Sequence, residues 1–182
     1  MSKTEETSDA RRIYETGKTV RDFDYAQGLA DLAALGDAEY VFRAGRLWPD
    51  FDFKNGLAAL ARLNSGKFIY HAGLEWKQFD YEAGQRVLLA TGDPKYIFYA
   101  GAYWKQFDFH RGVECLLKTG DCEYLFRAGA MWKAFDYPAA WKVLESEVKE
   151  GEHWRGRAFE NEKWRTALAE IWKQGRIKDD AG

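Results

Sequence analysis

The sequence predicts an all-α protein, an α-solenoid of about 28-residue helix-turn-helix repeats with a C-terminal helical cap. Three observations predict it. Aromatic-Asp-aromatic triplets stand at Phe23-Asp24-Tyr25, Phe51-Asp52-Phe53, Phe79-Asp80-Tyr81, Phe107-Asp108-Phe109 and Phe135-Asp136-Tyr137, each 28 residues after the last. Trp48, Trp76, Trp104 and Trp132 keep the same step, as do Ala44-Gly45, Ala72-Gly73, Ala100-Gly101 and Ala128-Gly129. Helix-start signals alternate with apolar residues at helical spacing, so each unit reads as two short helices whose apolar faces need neighbours to cover them.

Residues 1–8 are read as a polar N-terminal tail. The array begins with a half repeat at 9–22, where Ile13, Tyr14 and Gly17 hold the places of Val41, Phe42 and Gly45 one step later. Full units follow at 23–50, 51–78, 79–106 and 107–134, with a last first helix at 135–147.

In the first helix of each unit, Asp24, Asp52, Asp80, Asp108 and Asp136 stand at the N-cap, where a carboxylate accepts a bond from a free backbone N–H and complements the helix dipole. Leu32, Leu60, Leu88, Leu116 and Leu144 form its apolar column. Gly28, Gly56, Gly84 and Gly112 lie one turn in from the cap. A mid-helix glycine costs about 1 kcal/mol, so a backbone or a large ring is expected to lie directly over each.

The second helix starts at Asp37, Ser65, Asp93 and Asp121, three of them preceded by Gly36, Gly92 and Gly120, with Pro94 at a first helical position. Val41, Ala44, Gly45 and Trp48 fall at i, i+3, i+4 and i+7, one buried face. Beyond Lys149 the pattern stops, and 148–182, with Trp154, Trp164, Leu168, Ile171 and Trp172, is read as one or two cap helices and a tail.

Composition supports an ordered domain. The chain has 182 residues, 46% apolar and 31% charged, with 8 Trp, 10 Tyr, 12 Phe and only 3 Pro, which excludes a disordered or low-complexity chain. No run of about 18 apolar residues is present, and the segment from Met1 to Arg12 is polar. A cytoplasmic location is therefore expected. Cys115 and Cys122 lack metal-site spacing and are read as thiols. A formal charge of −2 gives no general attraction to a polyanion.

The stretches Gly92-Asp93-Pro94-Lys95-Tyr96-Ile97-Phe98 and Gly120-Asp121-Cys122-Glu123-Tyr124-Leu125-Phe126 resemble the GD-x-x-Y-[IL]-[FY] motif of uncharacterised bacterial and bacteriophage tandem helical-repeat proteins. The resemblance covers residues 9–147. It implies a prokaryotic or phage interaction protein and no particular catalytic activity.

Catalysis needs a cluster of unlike groups, and the repeating carboxylates are assigned to caps, so no enzymatic activity and no cofactor are expected. His71, His110 and His153 lack metal-ligand spacing, and Gly92-Asp93-Pro94-Lys95 lacks the glycine-rich phosphate-loop pattern. Binding leaves a clearer trace. On the second helix Arg43, His71, Tyr99 and Arg127 share one position while the core positions around them repeat, and Glu39, Lys67, Lys95 and Glu123 stand one turn earlier.

These residues are expected to form a ladder that docks a protein partner, with Arg43, His71, Tyr99, Arg127, Lys67 and Lys95 as contacts, in an adaptor or inhibitor. Lys77, Lys105 and Lys133, each after a tryptophan, support an alternative: cations evenly spaced along a phosphate backbone, with Tyr99 or Tyr103 stacking on bases. A structural component of a phage or bacterial assembly is a second alternative.

Overall fold

The structure is a computed structural model that describes residues 3–146 and 150–179. Residues 1–2 of the polar tail, the array boundary at 147–148 and the final residues 180–182 lie outside the described residues. Twelve helices and no strand occur among the described residues. Helix α1 covers Lys3–Thr19, so the first helix runs through most of the segment expected to be a tail.

Two rows of short helices follow. One comprises α2 (Tyr25–Ala34), α4 (Phe53–Arg62), α6 (Tyr81–Thr91), α8 (Phe109–Thr119) and α10 (Tyr137–Ser146). The other comprises α3 (Ala38–Leu47), α5 (Gly66–Glu75), α7 (Pro94–Tyr103), α9 (Cys122–Met131) and α11 (Glu150–Glu160), and α12 (Glu162–Asp179) ends the described chain. Helix α1 packs on α3, α3 on α5, α5 on α7, α7 on α9 and α9 on α11, in an α-solenoid-like succession. The first-helix row is looser, and shallow grooves separate α4 from α6, α6 from α8 and α8 from α10.

The helix ends follow from local hydrogen bonding. Asp24, Asp52, Asp80, Asp108 and Asp136 each accept a bond from the backbone N–H three residues on, at 2.9 to 3.2 Å. Asp37, Asp93 and Asp121 cap α3, α7 and α9 in the same way. Ser65 differs, because its side chain makes no cap bond. There the chain reverses at Asn64, whose φ of 49° replaces the left-handed glycines Gly36, Gly92 and Gly120, and the Ser65 N–H donates to Leu60 O at 3.2 Å.

The tryptophans join one unit to the previous one. Indole Nε1–H of Trp48 donates to Tyr14 O, Trp76 to Phe42 O, Trp104 to Tyr70 O and Trp132 to Phe98 O, at 3.0 to 3.1 Å. Each ring lies over the second-helix glycine of its neighbour. A Cβ on Gly17 or Gly73 would meet Trp48 or Trp104 at 2.5 Å, closer than carbon atoms can approach. The first-helix glycines are covered in turn by Phe23, Phe51, Phe79 and Phe107. The covering group is therefore a ring in both columns, not a backbone.

Trp164 repeats the arrangement at the far end, with its Nε1–H on Phe126 O at 3.0 Å and its ring over Gly129. It stands four residues past the 28-residue step from Trp132, which falls on Glu160. Helix α11 nevertheless starts 28 residues after α9, at Glu150 against Cys122, although the sequence motif ends near Lys149. Among the described residues no buried side-chain nitrogen or oxygen lacks a hydrogen-bond partner. Gln85 is the one buried polar side chain among them, and its amide clamps the Asp108 backbone by donating to O at 2.7 Å and accepting from N–H at 2.8 Å.

Candidate functional site

Each second helix turns Val41, Ile69, Ile97 or Leu125 fully inward, which leaves the residues two positions on facing away from the core. Arg43 and Arg127 are exposed, whereas His71 and Tyr99 are half-buried. The arrangement differs from four independent contacts. Arg43 pairs with Glu39 at 2.5 Å and Arg127 with Glu123 at 2.7 Å, both one turn back on the same helix. Their guanidinium carbons also sit 5.3 and 5.8 Å from the Tyr40 and Tyr124 rings.

His71 contacts the rings of Phe42 and Tyr70, and its Nδ1 lies 3.7 Å from Glu75. Burial holds the imidazole below its usual pKa, Glu75 pulls the other way, and Lys67 adds to the lowering. Glu75 also accepts Arg46 from the preceding second helix at 2.9 Å. Tyr99 belongs to a ring cluster, with Tyr70 at 5.8 Å, Tyr96 at 6.3 Å and Tyr103 at 6.1 Å. Burial raises the Tyr70 hydroxyl pKa, with Tyr103 and Tyr99 adding to the effect. Lys67 and Lys95 are exposed, with their Nζ atoms 4.9 Å from the Phe68 ring and 5.5 Å from the Tyr96 ring.

A second column was missed in the sequence. Leu47, Tyr103 and Met131 occupy the last position of their helices, one turn beyond Arg43, Tyr99 and Arg127, and are 55%, 56% and 50% exposed. Leu74 adds a further exposed apolar side chain on α5. The signal was present as a 28-residue step broken only by Glu75, but apolar residues next to a core tryptophan are easily assigned to the core. Large apolar side chains in a row beside arginine and tyrosine have the composition of a protein interface.

No protein-family model matches this chain, and no curated protein and no solved structure matches it.

The connector lysines Lys77, Lys105 and Lys133 are also exposed. Lys77 lines a groove with Phe53, Lys54 and Leu57 of α4, so it opens toward the first-helix row and not onto the tyrosine cluster. Neither cysteine is in a disulfide, and burial raises the Cys115 thiol pKa. Among the described residues, no group of three or more His, Cys, Asp or Glu side chains is arranged to hold a metal ion. No helix among them is long and apolar enough to cross a membrane.

Proposed function

We propose that this chain is a non-enzymatic helical-repeat binding protein, an adaptor or inhibitor, that docks a protein partner on the exposed face of its second helices. The carrying observation is the row Leu47, Tyr103 and Met131, half or more exposed beside Arg43, Tyr99 and Arg127. The core beneath is already complete, so the fold gains nothing from leaving these side chains in water. Tyrosine and arginine anchors set among apolar contacts are the usual source of binding energy in protein interfaces.

In this reading the 28-residue helical pair is the building unit, and α11 with α12 forms the cap that covers the last unit. The burial of Trp164 and Leu168 against the array supports that cap. The repeating carboxylates Asp24, Asp52, Asp80, Asp108 and Asp136 serve as helix caps, which supports a binding role over a chemical one. The resemblance to bacterial and phage repeat proteins fits an interaction protein of such an origin.

Nucleic-acid binding through Lys77, Lys105 and Lys133 has weaker support. Glu39, Glu75 and Glu123 stand on the second-helix row that carries Tyr99 and Tyr103, and the whole chain has a formal charge of −2.

Two double variants separate the readings: Tyr103→Ser with Met131→Ser, and Lys105→Glu with Lys133→Glu. All four positions are exposed, so both variants should melt near the wild-type temperature. The expected result is that immobilised wild-type chain retains a partner, identified by mass spectrometry, which the first variant loses and the second keeps. Loss by the lysine variant alone would transfer the function to the connector row, and retention by both would contradict each reading.

A further inference from the structure

The four central second helices are not equivalent in charge. At their second position α3 and α9 carry Glu39 and Glu123, acids that the positive end of a helix dipole favours and that pair one turn on with Arg43 and Arg127. Helices α5 and α7 place Lys67 and Lys95 there instead. A cation at that end is opposed by the dipole, so helix stability does not account for either lysine.

Neither has an acid one turn on, and the Asp93 carboxylate at the N-cap of α7 accepts from the Lys95 and Tyr96 backbone N–H groups. One turn on stand His71 and Tyr99, the Glu75 carboxylate is taken by Arg46, and Pro94–Tyr103 contains no carboxylate at all. Among the described residues, neither Lys67 nor Lys95 forms an ion pair. The two lysines therefore sit on adjacent packed helices over Phe68 and Tyr96; the Tyr96 ring meets Tyr70 and Tyr99, and the exposed Tyr103 continues that cluster at the far end of α7.

Resting on the reading that the second-helix face binds a protein, we infer that its centre takes an acidic segment of the partner. Two carboxylates engage Lys67 and Lys95, and an apolar side chain further along the segment lies on Tyr99 and Tyr103. The spacing suits an extended segment. Packed helices lie roughly 8–10 Å apart, alternate side chains of a strand are about 7 Å apart, and the flexible lysine stems take up the difference. The helices on either side satisfy their own charges through Glu39 with Arg43 and Glu123 with Arg127, so among the four central second helices the cations without an ion pair are on α5 and α7.

The test is selection of a displayed library of random twelve-residue peptides on the purified full-length chain, followed by affinity measurements with the enriched peptides and with a twelve-nucleotide thymidine strand. Enriched peptides should combine aspartate or glutamate with an aromatic or aliphatic residue. Lys67→Glu with Lys95→Glu should weaken them at least about tenfold, and Lys105→Glu with Lys133→Glu should leave them unchanged. Folding is protected in the first variant, because glutamate is native at the equivalent positions 39 and 123; its melting temperature should equal or exceed that of the wild type.

Neutral or basic peptides that are lost with Tyr103→Ser would overturn the acidic partner while leaving the protein-binding face standing. Peptides indifferent both to Tyr103→Ser and to the Lys67/Lys95 change would overturn both. Displacement of the peptides by the thymidine strand, with affinity falling steeply as salt rises, would make a nucleic acid the occupant and reject the acidic segment.

Discussion

Single residues carry the joint between units. A tryptophan ring seated on a glycine combines close packing with one buried hydrogen bond from the indole N–H to a main-chain carbonyl, and both are lost if the ring is pushed away. Gly101 lies under the Trp132 ring, whereas Gly156 on α11 has nothing near the place where a Cβ would go. Gly101→Leu should therefore cost about 1–3 kcal/mol or more by overpacking. Gly156→Ala should be neutral or stabilise by up to about 1 kcal/mol through helix propensity. Thermal melts of the two variants check the contrast, and equal shifts would mean that the ring does not occupy the space over Gly101. The glycine column was legible in the sequence as a place of close approach. Whether a ring or a backbone made that approach was not, because a 28-residue step gives position without the direction of the neighbouring side chain.

At the scale of the helix, capping sets where each element begins, and the one exception supplies an internal control. Asp93 bonds the N–H groups of Lys95 and Tyr96, at 3.1 and 3.4 Å, while Ser65 at the same place in α5 makes no such bond. Asp93→Ala should cost about 1 kcal/mol and Ser65→Ala close to nothing, as read by denaturant midpoints. A cost at Ser65 as large as at Asp93 would show that the hydroxyl caps after all. The aspartates were legible because cap chemistry is local. The register of α11 was not: cap helices were expected over 148–182, but α11 starts on the 28-residue step while the matching tryptophan contact comes from Trp164 on α12, four residues beyond Glu160, where that step falls. The candidate interface was half legible for a related reason. The 43/71/99/127 column stood out through its variety, while the exposed column of Leu47, Tyr103 and Met131 did not, because apolar residues next to a core tryptophan read as core until their exposure is seen.

Across the whole molecule, every unit buries its apolar faces against the units before and after it, and the indole of one closes on the glycine of the last. Such a stack has stability built from unit and neighbour terms, so its length can change while its packing rule holds. The outward second-helix row then becomes a continuous surface that can vary from unit to unit without disturbing the core, as Glu39, Lys67, Lys95 and Glu123 do. The most direct measurement is circular dichroism with thermal melting on a chain from which residues 79–106 have been removed. The new junction, Lys77-Gln78-Phe107-Asp108, has the same residue types as the native Lys105-Gln106-Phe107-Asp108. A stack of shared faces gives a shorter helical protein that still melts cooperatively; loss of helicity or of the cooperative transition would contradict it.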